Sequence, residues 1–361
     1  VAVAPFATFT SQNLLNSGEW SLNWKRSRIG IPPIPLDRLK TSTSPLSSIE
    51  LGWDREIWPE FTRSQFHATH EFSFVENPLR LSMFRVSLVD VSFVNLTNRD
   101  QAFLDWLETQ QNPLIVARFN NHATLGSSAA WESQWSLGNW VGRFEVQANW
   151  AGGMAQALAS WRGVESGLQF DESSEAWLVA EDVPIVQYGR GLLTLQGRRP
   201  LSSPIFESAF NVRFGVAQPG KNTPSLPLEQ SFFTGGANGI RGWTIRTLGP
   251  GNFNPEDNPD AIQGVGDLRL DLQHELRLDL GGAWQWAWFL DAGNVWLHGE
   301  NAPTGTSWSD EQFSGLALGS GVGIRYDLDF FLIRVDGGLR LHDPTQAEGN
   351  RWLGQGPMKG A

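Results

Sequence analysis

Strict alternation of apolar and polar residues over long stretches most constrains the fold of this chain. The pattern is clearest in residues 267–280. One face there would carry Leu268, Leu270, Leu272, His274, Leu276, Leu278 and Leu280. The other would carry Asp267, Arg269, Asp271, Gln273, Glu275, Arg277 and Asp279. A period of two residues predicts a β-strand with one apolar and one polar face.

The same alternation recurs along the chain. It is found in residues 19–25, 143–150, 284–293, 315–326 and 331–341. Trp284, Trp286 and Trp288 would share one face of their strand, which suits an interfacial aromatic belt better than a packed core. About thirteen segments follow the rule, so we predict an all-β chain of antiparallel strands.

The connections between these segments alternate in length. Short ones lie at residues 76–78, 137–139, 281–282 and 327–329, and long ones at 96–114, 153–184, 218–264 and 297–313. The connection at residues 31–46 is a long exception on the short side. Short turns on one side and long loops on the other are typical of bacterial outer-membrane β-barrels. Asp100 begins a helical pattern in the first long connection.

Composition fits a barrel in the outer membrane. The chain has 361 residues, a mean hydropathy of −0.26, and 18 tryptophans against 2 tyrosines. It contains no apolar run of about 18 residues, so a membrane-spanning role requires a closed barrel. A tryptophan-rich soluble β protein is the alternative that composition alone leaves open.

Several chemistries find no support in the sequence. The chain has no cysteine, and its net charge of −11 argues against nucleic-acid binding. Neither a serine-hydrolase nor a phosphate-loop motif occurs, so we expect no enzyme activity and no cofactor. His67 and His70 are spaced to face opposite sides of a strand, and the acidic residues at 256–260 match no calcium-loop pattern. We therefore expect no metal site.

One glycine-rich stretch, at residues 232–243, stands out from the strands. It contains Gly235, Gly236, Gly239 and Gly242 around a single cation, Arg241. Glycines allow tight turns and close backbone approach. The stretch therefore predicts a sharply folded loop that presents one guanidinium.

This stretch and several others together resemble the BamA/TamA family of outer-membrane assembly and translocation barrels, in particular its Bacteroidetes-type branch. The similarity runs from about residue 183 onward and is looser before it. It rests on residues 226–238, 240–243, 248–251, 289–296, 331–334 and 339–344. The resemblance implies a barrel of about sixteen strands whose sixth extracellular loop folds back into the lumen.

The resemblance also implies a locking site. The loop motif would be Gly235, Gly236, Arg241, Gly242 and Trp243, and its partners on the lumen wall would be Glu275, Phe289, Asp291 and Gly293. A partly desolvated guanidinium favours a carboxylate or an aromatic face. Arg241 would either rigidify the barrel or take part in gating. Gly319, Gly321 and Gly323 would make room for the loop.

We therefore predict that residues 1–361 form one outer-membrane β-barrel domain. We expect the first one or two strands, the last strand and the periplasmic domains of the family to lie outside this sequence. The implied function is assembly and insertion of outer-membrane proteins, or polypeptide translocation. A secretion channel, a passive pore and the membrane anchor of a fused domain are the alternatives. The implied partners are the lipid bilayer, unfolded outer-membrane protein clients and accessory lipoproteins, inner-membrane or periplasmic proteins.

Overall fold

The structure is a computed structural model of the chain. It describes residues 6–13, 17–29, 46–57, 61–77, 82–109, 116–153, 169–171, 176–180, 183–203, 205–220, 223–253, 264–298, 302–308, 315–328 and 330–354. The connection at residues 31–45 and the acidic residues at 256–260 lie outside these ranges.

Thirteen strands within the described ranges form one sheet, in which each strand pairs with its neighbours along the chain. They are β1 (Phe6–Asn13), β2 (Ser17–Ile29), β3 (Leu46–Ile57), β4 (Thr62–Asn77), β5 (Ser82–Thr97), β6 (His122–Leu137), β7 (Trp140–Ala151), β11 (Tyr188–Pro200), β12 (Phe206–Pro219), β13 (Leu268–Gly281), β14 (Trp284–Trp296), β15 (Ala317–Asp327) and β16 (Leu332–His342). The connection between β7 and β11 holds a separate small sheet of β8 (Gln169–Asp171), β9 (Ala176–Ala180) and β10 (Val183–Pro184). The predicted all-β antiparallel fold is confirmed.

The alternation of the sequence becomes the two faces of this sheet. On β14 the side chains of Trp284, Trp286 and Trp288 are exposed, whereas Phe289 and Asp291, which follow them on the strand, are fully buried. The predicted bounds of β13 to β16 agree with the structure to within three residues. We refer below to the exposed apolar face and the polar face of the sheet.

One helix, α1 (Gln101–Thr109), lies in the connection between β5 and β6. The Leu104 amide donates to the Asp100 carbonyl at 3.0 Å, so the helix begins where the sequence predicts. Its Phe103 packs against Phe61 and Phe119, with ring centroids 5.3 Å away in both cases. None of the helical residues that the structure describes forms a span long and apolar enough to cross a membrane.

The chain divides into two compact units. The first comprises residues 1–132, 147–191 and 218–229, and the aromatic cluster around Phe61 belongs to it. The second comprises residues 133–146, 192–217 and 230–361. Strands β12 to β16 and the glycine-rich stretch belong almost entirely to the second unit, which therefore contains the predicted site.

Candidate functional site

A folded loop in the connection between β12 and β13, residues 232–253, is the centre of the candidate site; we call it the loop segment. It is attached to the start of β13 by Phe232 and Gly266, whose amides and carbonyls exchange hydrogen bonds of 2.7 and 2.8 Å. Within the segment the Gly236 amide donates to the Trp243 carbonyl at 2.7 Å. The tip at residues 237–242 is therefore a closed turn with its own backbone hydrogen bonds.

The glycines of the tip are required by its geometry. Gly235, Gly236 and Gly242 have φ angles of 95°, 76° and 106°, a region that side chains disfavour. A Cβ on Gly235 would also collide with the Thr244 carbonyl oxygen. This tight turn allows the arginine within it to point at the polar face of the sheet.

Arg241 is held by Asp291 through three hydrogen bonds. Its Nε and Nη2 donate to the two carboxylate oxygens at 2.7 Å each, which is a bidentate pair. The Arg241 backbone amide donates to the same carboxylate at 3.0 Å. Both side chains are almost completely buried. This bidentate pair fixes the tip of the loop segment to β14.

Three more residues complete the surroundings of the guanidinium. The Arg241 Cζ lies 3.6 Å from the centre of the Phe289 ring, a cation–π contact. Its Nη1 donates to Glu275 at 2.7 Å and to Asp336 at 3.3 Å. Burial alone lowers the pKa of Arg241, but the hydrogen bonds and charges of Asp291 and Glu275 raise it overall. The guanidinium therefore stays charged although it is buried.

Further arginines balance the three carboxylates. Arg325 donates to both oxygens of Glu275 at 2.7 and 2.6 Å, and Arg277 donates to one of them at 2.9 Å. Arg334 lies 3.2 Å from Asp336. Among the described residues around this site, four cations thus contact three anions, so removal of one member leaves its buried partners with one counter-charge fewer.

The register of the strands explains why these residues meet. Asp291 lies opposite Gln273 on β13 and Gly319 on β15. Phe289 lies opposite Glu275 and Gly321, one row further along the sheet. Two adjacent rows therefore provide the acidic, aromatic and glycine-rich surface on which the Arg241 guanidinium lies.

The backbone of the tip is also bound to the sheet. Carbonyl groups of the tip accept hydrogen bonds from side chains on three strands. These pairs are Arg213 with Asn238, Gln273 with Gly239, Arg334 with Ala237 and Arg340 with Gly242. At the start of the segment, the Thr234 hydroxyl donates to the buried Asp271 carboxylate at 2.7 Å. The segment is therefore fixed along its length and not by Arg241 alone.

Apolar packing supports the same arrangement. Trp243 is buried with Ile240, Leu248 and Ala317. The Arg340 guanidinium lies 5.1 Å from the Trp243 ring. The indole nitrogen of Trp243 has no hydrogen-bond partner among the described residues, so this side chain contributes as an apolar wedge.

The structure thus brings together Arg241, Glu275, Phe289 and Asp291 of the predicted site. Gly293 lies on the same polar face but next to Ile240 and not next to the guanidinium. A Cβ added at Gly293 would be 3.0 Å from the Ile240 Cδ1. Among the three predicted spacer glycines, Gly319 faces the Arg241 carbonyl, whereas Gly321 and Gly323 border Phe289 and Asp336.

The prediction missed Asp336 and Arg325 as members of the charged cluster, and Gln273 and Thr234 as anchors of the loop segment. Alternation assigns Asp336 and Arg325 to the polar face, but it does not give their height along the strands. Within the described residues, no group of three or more histidine and acidic side chains is arranged to hold a metal ion.

One family model matches the part of the chain that contains the site. Residues 187–353 match the Omp85 superfamily domain, which includes the loop segment and β12 to β16. No curated protein sequence matches the chain at a significant level.

Solved structures show the same fold at low sequence identity. BamA from Haemophilus ducreyi, lacking POTRA domains 1–3, aligns with a TM-score of 0.58 and 12% identity over 90% of this chain and 59% of its own. CdiB from Escherichia coli aligns with a TM-score of 0.52 and 13% identity over 91% of this chain and 50% of its own. CdiB from Acinetobacter baumannii aligns with a TM-score of 0.50 and 14% identity over 91% and 47%.

The chain therefore spans about half to three-fifths of the length of these structures. Its exposed tryptophan and leucine rows are those expected of strands that face lipid. By its fold the chain is an outer-membrane β-barrel protein, and its residues 187–353 match the Omp85 superfamily domain.

Proposed function

We propose that this chain is the barrel of a machine that inserts outer-membrane proteins or translocates polypeptides, of the BamA/TamA type. The observation that carries the proposal is the buried pair of Arg241 and Asp291, which fixes the loop segment on the polar face. A simple pore would need an open lumen. A loop held on the polar face by this many contacts would instead occupy the lumen. We propose further that residues 1–361 act as one barrel domain.

The proposed partners rest on the exposed apolar face and on the resemblance to the BamA/TamA family. The lipid bilayer would contact the exposed apolar face, and unfolded outer-membrane proteins would be the clients. Accessory lipoproteins, inner-membrane or periplasmic proteins would assist. The loop lock would keep the segment in place while a client strand pairs with a strand edge, a form of β-augmentation. The reaction needs no nucleotide and no catalytic side chain.

The test is reconstitution of the protein that contains this chain into liposomes. A urea-unfolded outer-membrane protein is added, and its folding is followed by its heat-modifiable mobility on gels. We expect faster folding than with empty liposomes, and slower folding with Asp291→Ala than with the unchanged protein. An equal rate with and without the protein would overturn the proposal.

Ionic conductance of the same proteoliposomes distinguishes the alternatives. If the loop segment stays bound to the polar face of the sheet, we expect small, irregular currents. Large steady currents, together with no effect on client folding, would instead support a passive pore. Specific release of one substrate across the bilayer would support a secretion channel.

A further inference from the structure

A second polar cluster holds the beginning of the same long connection, at residues 223–229 in the first compact unit. The Glu229 Oε1 lies 2.8 Å from the Nε2 of His122, the first residue of β6, although the two are 107 positions apart. The other Glu229 oxygen lies 3.7 Å from the Arg63 Nη1. The exposed fractions of the Glu229 and His122 side chains are only 8% and 4%.

The second ring nitrogen of His122 determines the protonation of the pair. The His122 Nδ1 lies 3.0 Å from the backbone carbonyl oxygen of Asn120. A carbonyl oxygen only accepts, so Nδ1 carries a proton. The Nε2 faces the Glu229 carboxylate, which can only accept a hydrogen bond when it is ionised. Nε2 must then carry a proton as well, so the imidazole is doubly protonated.

The surroundings favour this charged form. Arg63 donates to Glu56 at 2.7 Å and also faces Glu229, so two cations and two carboxylates form the cluster. Burial raises the pKa of Glu229, but the hydrogen bond and charge of His122 and the charge of Arg63 hold it below its usual range. The carboxylate is therefore ionised at neutral pH.

Two hydrogen bonds attach this part of the connection to Gln187, the residue that precedes β11. The Gly220 amide donates to the Gln187 carbonyl at 2.7 Å, and the Gln187 amide donates to the Thr223 hydroxyl at 2.7 Å. Leu226 between these contacts and Glu229 is fully buried. The beginning of the connection thus has its own set of attachments within the first unit.

We propose that Glu229, His122 and Arg63 form a second anchor, in which an imidazolium holds the beginning of the β12–β13 connection to the sheet. Glu229 is a positioning residue in this arrangement. The anchor acts on residues 223–229, whereas the Arg241 pair acts on the tip. The proposal concerns loop attachment and stands whether or not the protein inserts clients.

Nitrogen NMR of the histidines tests the charge state directly. The sequence has only six histidines, so a ¹⁵N-imidazole spectrum of the protein in detergent micelles is simple. We expect the His122 imidazole to be doubly protonated at neutral pH and to lose that signature in Glu229→Gln. The His122→Gln spectrum identifies the signal by its disappearance. A neutral imidazole at His122 in the unchanged protein would overturn the proposal.

Thiol labelling tests the anchoring. The chain has no cysteine, so Ser225→Cys provides a single buried reporter close to Glu229 in the sequence. We expect maleimide labelling of this reporter thiol to become at least about tenfold faster in Glu229→Gln and in His122→Gln, because each substitution removes one charge of a buried pair. The double variant should label no faster than the faster single variant, since the two residues act as a pair.

His67→Gln is the matched control. His67 makes a similar ion pair with Asp54 at 3.2 Å, but between β3 and β4. Its loss should leave the labelling of the reporter thiol unchanged, as should Asp291→Ala at the other anchor. Equal labelling of that thiol with and without the Glu229 and His122 substitutions would refute the anchor. The NMR measurement of the histidine charge uses the unchanged protein. It can therefore still refute the proposal if one of the variants fails to fold.

Discussion

The backbone carbonyl oxygen of Arg241 occupies the space that a side chain on Gly319 would fill. Gly319 lies opposite Asp291 in the strand register, so the glycine and the carboxylate form adjacent parts of one surface. The same loop residue thus contacts one strand with its side chain and the next strand with its backbone. The lock therefore depends on shape as well as on charge.

Substitution of Gly319 should loosen the loop segment without any change in charge. We expect Gly319→Val to lower the free energy of unfolding by about 1–3 kcal/mol, because the added atoms push the Arg241 backbone away from β15. The measurement is the denaturant midpoint of the heat-modifiable band. Gly337→Ala is the control, because the nearest described atom to its Cβ is a carbonyl oxygen at 4.0 Å. Equal effects of the two substitutions would contradict this account.

Removal of Asp291 should be the most damaging single change in the site. Asp291→Ala leaves the buried Arg241 without its bidentate partner, which costs about 3–5 kcal/mol for a buried pair. The same denaturation experiment measures it. Asp279→Ala on the neighbouring strand β13 removes a carboxylate that accepts from the Gly281 amide at an exposed position, and it should change the midpoint little. A similar loss of stability in both variants would show that the Asp291 carboxylate contributes no more than an exposed one.

The bidentate geometry makes lysine a poor replacement for arginine. Arg241→Lys keeps the charge but loses the paired donors and the stacking on Phe289. We expect a loss of about 1.5–3 kcal/mol, smaller than for Asp291→Ala. Arg198→Lys is the control, since its side chain is 66% exposed and its Nη1 lies 3.8 Å from Glu207, away from the loop segment. If Arg241→Lys were as stable as the unchanged protein, the fork geometry would be irrelevant.

Acidification should weaken the attachment at Glu229. The pKa of this carboxyl is lower in the folded protein than its ordinary value of 4.5, because His122 and Arg63 stabilise the anion. Its contribution to stability is therefore complete above about pH 4.5 and is lost as the pH falls through the lower folded value. We expect the difference in unfolding temperature between the unchanged protein and Glu229→Gln to shrink with falling pH. A difference in unfolding temperature that grows as the pH falls would contradict a lowered pKa of Glu229 in the folded protein.

The strands could be predicted well from the sequence because their two faces meet different surroundings. The leucines and the charged residues of β13 alternate so strictly that its bounds follow from the pattern. The glycine pair at 281–282 likewise predicts the turn before β14, where both residues have positive φ angles.

Part of the charged cluster could not be predicted from the alternation of apolar and polar residues. Asp336 reaches Arg241 because β16 pairs with β15 in a register that places it beside Gly323. Alternation gives the face of a side chain, but register fixes its height, and register depends on all the strand pairs together. The contact of His122 with Glu229 joins residues 107 positions apart, so no local pattern points to it.

The most direct test of the central claim is a distance measurement between the loop segment and the sheet. Spin labels at Ile245→Cys and Val335→Cys, both exposed positions in the second unit, report on it by pulsed electron resonance. We expect one narrow distance distribution in the otherwise unchanged protein and a broad one when Asp291→Ala is added. A broad distribution in the unchanged protein, or a narrow one that survives the loss of Asp291, would contradict the lock.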